Sequence, residues 1–401
     1  MAKPKGTIMK LLFITEARLT QSADGKFYSG DQSFSYKMFA RYLDVFESVA
    51  VVARSTAAAE NTVDEKSRVD KNEIKVLPLP YYIGPYQYVI KKSNLIKTLH
   101  NYIDLTPDAA VICRVPGTIG TAAAKYCIGK SRHYGVEVVG DPCDVFAAGS
   151  FNHPFRLFFK HIGMKSLKTI VKNATAAMYV TKTTLQQRYP IGNNLFNTYA
   201  SNVMLPPDAF VQSAKTLKKN GRFTLVAVGA LSAMYKSPDI AIDAMTILKN
   251  KGLEVIFKWL GDGRYRAGMV DLARQRGVSD MISFVGNVGS AVEVRHYLDK
   301  ADLFVLPSRT EGLPRALVEA MARGLPCIGT DIGGIPELLE EKALIPINNA
   351  KLLADKIEKF LLTPGMADVQ AKRNLKESQN YACQILQTRR MEFYQYLKEI
   401  S

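Results

Sequence analysis

The stretch from Leu303 to Leu339, LFVLPSRTEGLPRALVEAMARGLPCIGTDIGGIPELL, leaves a chain few folds to choose from. Leu303 to Leu306 is a short continuous apolar run, as in a parallel strand buried on both faces, and Pro307 and Ser308 close it with a turn. A helix starts near Pro314, because proline suits a first helical position; Leu317, Ala320 and Met321 continue one face until Gly324 and Pro326 stop it. The open amides of that helix then lie at the carboxyl end of a strand, where a phosphate is favoured. Glu311 sits in the loop before those amides, placed to accept hydrogen bonds from sugar hydroxyls. Glu319 follows eight residues later inside the helix, placed to accept from the two hydroxyls of a ribose. The plainer reading is that Glu311 complements the helix dipole and Glu319 is a solvated surface residue. The order of strand, loop, glycine, helix and second glycine loop favours a site for a sugar attached to a diphosphate.

The same alternation runs through the chain, with no low-complexity segment and no solenoid period. In the second half, strands are expected at Thr224–Val228, Val255–Leu260, Ile282–Val285, Leu303–Leu306 and Cys327–Gly329, with helical patterns between them. In the first half they are expected at Lys10–Thr15, Ser48–Ala53, Lys75–Leu77, Ala110–Cys113, Glu137–Val139 and Ala177–Val180. Such spacing predicts α/β architecture: parallel sheets covered on both faces and entered by right-handed crossovers. The polar, proline-bearing stretch from about Pro206 to Gly221 separates the halves.

Three loops of the second half follow strand ends. In VGALSAMYKSPD, Gly229 follows a strand that ends at Val228, Ser237 reads as an N-cap and Pro238 opens a helix, so Lys236 is placed to meet a diphosphate as a point charge. A solvated loop lysine is the ordinary fate of that residue type; the strand-end position argues against it here. In GDGRYR, Gly261 and Gly263 would let backbone approach a nucleotide closely, although a tight turn explains them as well. In FVGNV the main chain of Val285 is placed to read a base edge. The first half is softer. VICRVPGTIG sets Arg114, Gly117 and Gly120 at a strand-to-helix junction, and VVGDPCD ends a strand with Asp141, a carboxylate aimed at a cleft; turn chemistry is the alternative for both.

The Glu311 segment resembles the EGxPxxxxEAMAxGxP signature of retaining glycosyltransferases of family four, and Gly333, Gly334 and Glu337 match the glycine loop that follows it. The resemblance is strongest from Thr224 to Leu339. It implies a GT-B fold, with two Rossmann-like domains facing across a cleft: an acceptor-binding domain over 1–205, a donor-binding domain over 206–380, and a C-terminal helix over 381–401 that returns to the first. It implies donor contacts at Gly30, Gly229, Lys236, Gly261, Gly263, Val285, Glu311, Gly312, Leu313, Pro314 and Glu319, with Glu311 and Lys236 catalytic and Arg114 and Asp141 toward the acceptor. The family often has an arginine where this chain has Ala230, so a second diphosphate cation is missing; Arg315, Arg309 and Arg264 are candidate replacements.

Charge adds a second theme. The chain carries 53 basic and 37 acidic residues, a net +16. Residues 1–200 hold 26 basic against 15 acidic side chains, and residues 201–401 hold 27 against 22. No acidic residue occurs from 145 to 207, where Arg156, Lys160, Lys165, Lys168, Lys172, Lys182 and Arg188 fall. That is a localised field for an anion. Phe155, Phe158, Phe159 and Ile162 share one helical face in this stretch, and Leu167, Ile170, Val171 and Ala174 share another. The first set, with Lys160, Lys165 and Lys168, reads as a membrane-surface helix with snorkelling lysines; the alternative is that its apolar face is core.

Several classes are excluded. A nicotinamide oxidoreductase needs GxGxxG after a strand and an acidic residue about 20 positions on, which is absent. The basic excess comes without a nucleic-acid recognition module. The five cysteines show no CxxC or metal-ligand spacing, so they are expected reduced and idle, and no metal site is expected. With 47% hydrophobic residues and no apolar run of membrane length, the chain reads as soluble and globular. Lysines precede an apolar run in MAKPKGTIMKLLFITEA, but Lys10 interrupts it, so it reads as a first strand and not a leader. The expectation is a metal-independent, retaining hexosyltransferase without cofactor. It would use a UDP- or GDP-type sugar and a glycan or lipid-linked acceptor, in cytoplasmic polysaccharide or glycolipid synthesis, peripheral on the inner membrane face. A sugar-nucleotide epimerase of the same architecture and a catalytically idle sugar-nucleotide-binding relative are the alternatives.

Overall fold

The computed structural model describes residues 10–30, 34–58, 64–145, 154–203, 205–218 and 221–401. Its strands are β1 (Lys10–Gln21), β2 (Phe27–Ser29), β3 (Ser48–Ala57), β4 (Ile74–Pro80), β5 (Ala110–Val115), β6 (Gly135–Val138), β7 (Ala176–Tyr179), β8 (Phe196–Tyr199), β9 (Phe223–Val228), β10 (Val255–Leu260), β11 (Ile282–Gly286), β12 (Leu303–Leu306), β13 (Cys327–Thr330) and β14 (Leu344–Ile345). They form two sheets, one ordered β4-β3-β1-β5-β6-β7-β8 with β2 beside β1, the other ordered β11-β10-β9-β12-β13-β14. Every ladder is parallel except β1 with β2. Parallel strands need crossovers and are covered on both faces, which is why these strands are near-continuous Val, Ile, Leu and Ala runs.

The chain divides into two compact units. The first comprises Met1–Asp141, His161–Ala200 and Thr388–Ser401; the second comprises Pro142–Lys160 and Ser201–Gln387. The change of unit thus falls at Ala200 and Ser201, a few residues before the proline-bearing stretch, and the last helix, Cys383–Ile400, passes from one unit to the other within its length. That Pro142–Lys160 groups with the second unit has no signal in the sequence pattern.

In the first unit, Leu12, Ile14, Val111, Cys113, Val136 and Val138 meet Ile119, Ala123 and Cys127 of the helix Thr118–Gly129. A side chain on Gly120 would run into the carbonyl of Arg114, so this glycine sets how closely helix and sheet pack. The last helix returns to this unit through Tyr394, whose ring lies 4.8 Å from that of Tyr42, and through Leu397, which packs where Gly135 has no side chain.

In the second unit, β9 to β13 and their helices enclose one apolar core that includes Trp259, Phe304, Leu317 and Met321. Short β14 pairs only Gly329 and Thr330 of β13, and at Cys327 its place is taken by Gln370, whose side-chain amide accepts from Cys327 N at 2.8 Å and donates to Cys327 O at 2.8 Å. A buried glutamine thereby substitutes for a strand.

The expected strands all occur, with ends shifted by a few residues. Three short strands, Phe27–Ser29, Phe196–Tyr199 and Leu344–Ile345, were not legible, since none is an unbroken aliphatic run of four such as Leu303–Leu306. The opening residues 1–9, on which the leader question turned, lie outside the described residues.

Candidate active site

The second sheet reverses its order at β9. From there the chain moves outward through β10 and β11, then returns to the other side with β12 and β13. A crevice opens beyond the carboxyl ends of strands at such a switch point, because the two crossovers leave on opposite sides. The loops after β9 and β12 flank that crevice, and they carry Lys236 and Glu311. Lys236 Nζ donates to Glu311 Oε1 at 2.5 Å, and the same oxygen accepts from Ser308 Oγ at 2.6 Å. The Lys236 and Glu311 side chains are only 13% and 8% exposed.

Each partner is held from below. Gly229 lies under the lysine stem: a Cβ there would stand 2.9 Å from Lys236 Cγ, so a side chain would displace it. The Gly229 carbonyl accepts from Trp259 Nε1 at 2.8 Å. Lys236 ends a short 3-10 turn, Met234–Lys236, which Arg309 pins by donating to Met234 O at 2.9 Å and to both oxygens of Asp239 at 2.9 and 2.6 Å. On the other side, Thr330 Oγ1 donates to Ser308 O at 2.7 Å, and Ser308 is fully buried. The glycine loop then packs on the acidic loop. A side chain on Gly333, which has φ +55°, would collide with the carbonyl of Glu311, and Gly334 N donates to Gly312 O at 2.7 Å.

Gly261 and Gly263 admit a neighbouring loop. Their φ values are +133° and +155°, and side chains there would strike the backbone of Gly229 and of Leu231 and Ser232. They let two loops lie against each other, with Leu231 N donating to Asp262 O at 2.8 Å and Gly261 N to Gly286 O at 2.8 Å. Val285 is half-buried in β11 beside this contact.

Gly312 is exposed with open space where a side chain would lie, while Leu313 and Pro314 lead into the helix Arg315–Ala322, whose first internal bond is Val318 N to Pro314 O. Pro314 is therefore the N-cap, one position earlier than a first helical residue, and it has no N–H to offer. Among the described residues, none accepts from the helix amides of Arg315, Ala316 and Leu317. Glu319 stands half-buried one turn further on. Burial pushes its carboxyl above the usual range, against the pull of Arg315 and Arg295, and no described residue donates to it.

Ser237 departs from the sequence reading. Ser237 does not cap its helix with its side chain. It adopts φ 57°, ψ 52°, is fully buried, and its hydroxyl has no partner among the described residues. Arg309, a candidate second cation, is engaged by Asp239 in bidentate fashion. Arg264 and Arg315 are exposed at loop and helix start.

In the first unit, Asp141 is 3% exposed, with Oδ1 accepting from Tyr189 Oη at 2.5 Å and Oδ2 from Arg188. It is a buried tie, and not a carboxylate waiting for an acceptor. Arg114 lies within β5, in a cluster with Glu137, 3.4 Å away, that also includes Arg41 and Tyr42. Burial lowers its guanidinium from the ordinary value. An acceptor contact is thus unsupported for both, since buried charge pairs absorb them. The helix junction expected at Gly117 is filled by Glu16, whose carboxylate accepts from Ile119 N at 2.5 Å and pairs with Arg54 at 2.8 Å. Gly30 is exposed; residues 31–33, which would open its helix, lie outside the described residues.

The helix Arg156–Lys172 settles which way its phenylalanines point. Phe155, Phe158 and Ile162 are exposed at 63%, 61% and 48%, Phe159 is partly so, and Leu167, Ile170 and Val171 are buried. Lys160, Lys165 and Lys168 lie along the same helix, with Lys165 and Lys168 exposed. No helix among the described residues is long and apolar enough to cross a membrane.

Sequence reasoning missed Ser308, Thr330, Asp239 and Glu16. Ser308 reads as a turn residue and Thr330 lies just past an expected strand, and the Arg309–Asp239 pair spans 70 positions with no local signal.

Residues 208–378 match the family model for glycosyl transferases group 1. The match falls within the second unit and covers less than half of the chain. The whole chain is similar to the protein CapJ of Staphylococcus aureus, 26% identical over 388 residues, covering 95% of this chain and 94% of that one. It is 36% identical over 162 residues to the putative colanic acid biosynthesis glycosyltransferase WcaL of Escherichia coli, 38% of this chain and 40% of the relative. Among solved structures it is similar to HepE from Anabaena in complex with UDP and glucose, with a TM-score of 0.64 at 15% identity over 96% of this chain and 98% of that one. The fold is GT-B, two Rossmann-like α/β units with parallel sheets.

Proposed function

We propose that the protein is a retaining hexosyltransferase that moves a sugar from a nucleoside diphosphate, of UDP or GDP type, to an acceptor hydroxyl without a metal ion. The observation that carries this reading is the 2.5 Å contact of Lys236 with Glu311 at the switch point of the second sheet. It sets one cation and one carboxylate where a diphosphate and its sugar would meet the open amides of Arg315, Ala316 and Leu317.

In this reading Glu319 holds the ribose and Glu311 the transferred sugar. The bond from the anomeric carbon to the diphosphate oxygen breaks with oxocarbenium character on the sugar. Lys236 and the helix amides stabilise the charge that develops on the leaving group. The acceptor oxygen attacks from the face the diphosphate leaves, and its proton passes to a phosphate oxygen, so no separate base is needed.

The names of relatives such as WcaL support polysaccharide synthesis, and the UDP complex of HepE supports a uridine donor. The exposed Phe155, Phe158 and Ile162, beside Lys165 and Lys168, support work at the cytoplasmic face of an anionic membrane on a glycan or lipid-linked acceptor. Reacting UDP- and GDP-hexoses with candidate acceptors, with and without chelator, tests the proposal, and the anomeric configuration of the product is read by NMR. An inverted product, or loss of turnover on chelation, overturns the mechanism. Conversion of the donor sugar without any acceptor would make the protein an epimerase. Binding without turnover for any donor would make it an idle relative. Glu319→Ala should weaken free nucleotide and intact donor alike, ten- to a hundredfold for a lost charged hydrogen bond of about 1.5 to 3 kcal/mol.

A further inference from the structure

The helices Ala291–Lys300 and Arg315–Ala322 meet in the second unit along a charged seam. Arg295 and Asp299 stand one turn apart on the first. Arg315, Glu319 and Arg323, the last at the C-cap, stand one turn apart on the second, so each set shares a face. The two helices are successive crossovers of one parallel sheet, from β11 to β12 and from β12 to β13, and run in the same direction. Asp299 closes the seam at one end, its two oxygens accepting from Arg323 at 2.6 and 2.9 Å. One turn back on each helix stand Arg295 and Glu319. No described residue donates to Glu319, and the cations that bear on its half-buried carboxyl are Arg315, exposed on its own helix, and Arg295 across the seam.

Arg295 has a second claimant. Its guanidinium, 17% exposed, donates to Asp208 Oδ2 at 2.9 Å. Asp208 belongs to the turn Pro207–Ala209, in which the carbonyls of Asp208 and Ala209 accept from Arg323 at 3.4 and 3.1 Å. The same segment continues along the end of the Glu319 helix, with Val211 N donating to Ala322 O at 3.1 Å and Lys215 N to Gly324 O at 2.9 Å. One arginine thus stands between an exposed carboxylate of this segment and the buried-side carboxylate of the nucleotide helix. A carboxylate offers both oxygens as acceptors only when ionised, and a half-buried one depends on a neighbouring cation for that.

We propose that Arg295 is a positioning residue for the nucleotide, supplying the counter-charge under which Glu319 meets the ribose hydroxyls, and that Asp208 competes with Glu319 for it. The inference rests on the ribose reading of Glu319 given above, and it is tested apart from it. Calorimetric titration of the full chain, with whichever of UDP and GDP wild type binds more tightly, is run from about pH 5 to about pH 8, across the range in which a raised carboxyl titrates. Arg295→Gln should weaken binding about tenfold at the acid end and leave the alkaline end unchanged, since each unit by which a required carboxylate titrates later is about tenfold in affinity. Arg295→Lys keeps the charge and should restore the wild-type profile. Asp208→Asn leaves Arg295 to Glu319 and should tighten binding at the acid end, a gain that a merely loosened segment does not give. In Glu319→Gln, whose amide does not titrate, neither Arg295→Gln nor Asp208→Asn should change the affinity. Weakening by Arg295→Gln that is equal at every pH, or that persists in Glu319→Gln, overturns the inference. If Glu319→Ala binds as wild type does, the ribose reading falls and this one with it. If Glu319→Ala weakens binding and Arg295→Gln does not, this one alone falls.

Discussion

Replacing Glu311 by glutamine should make the protein less stable and its grip on a free nucleoside diphosphate tighter. Glu311 Oε1 holds Lys236 Nζ at 2.5 Å and Ser308 Oγ at 2.6 Å, in a site where both charged side chains are nearly buried. A glutamine of the same shape keeps an oxygen for Ser308 but turns the charged bond into one with a neutral acceptor. Bonds to charged groups contribute about 1.5 to 3 kcal/mol and neutral ones about 0.5 to 1.5, so the loss in unfolding free energy is about 1 to 1.5 kcal/mol. The same amount returns when a diphosphate arrives, because Lys236 no longer has to be shared with a carboxylate. The dissociation constant of UDP or GDP should then fall about tenfold. Intact donor should gain less or lose, since its sugar forfeits the carboxylate. Chemical denaturation and titration calorimetry on wild type and Glu311→Gln read both quantities. A nucleoside diphosphate that binds Glu311→Gln no better than wild type would refute the idea that carboxylate and diphosphate compete for Lys236.

Lys236→Ala should lower turnover more than it raises the Michaelis constant, because the lysine contact strengthens as the leaving group gains charge; retained kcat with a raised KM would make it a ground-state clamp. Ser237→Gly should stabilise the protein by about 1 kcal/mol in denaturant titration. A left-handed non-glycine residue costs about 1 to 2 kcal/mol and a buried unpaired hydroxyl adds to that, against roughly 0.5 to 1 kcal/mol for the freer unfolded glycine. Glu319→Gln should raise the melting temperature at neutral pH and leave it unchanged below about pH 4. A carboxyl pushed up by burial makes stability fall as pH rises through its unfolded value near 4.3 toward the raised folded one, and the neutral amide escapes that loss.

Much of the second unit could be read from the chain alone. Leu303–Leu306 and Val255–Leu260 appear as strands at the expected residues, because a parallel strand covered on both faces must be a short unbroken apolar run, and few other structures write that pattern. The placing of Glu311 before a helix start and of Lys236 after a strand end is equally local, being a matter of turns, prolines and glycines. The sequence by itself therefore determined the α/β class, the parallel sheets and the positions of these two residues relative to their own elements. What it could not hold was the distance between elements. That Lys236 and Glu311 neutralise each other, that Arg309 pairs with Asp239, that Gly261 and Gly263 make room for a neighbouring loop, and that Asp141 is buried beneath Arg188 and Tyr189 are all contacts between segments 47 to 75 residues apart or between separate loops. A charged side chain's partner is chosen by three-dimensional proximity and burial, and neither leaves a mark on local spacing. The same holds for exposure. Phe158 and Leu167 follow the same helical periodicity, and only the packing of the helix Arg156–Lys172 decided that one meets solvent and the other the core.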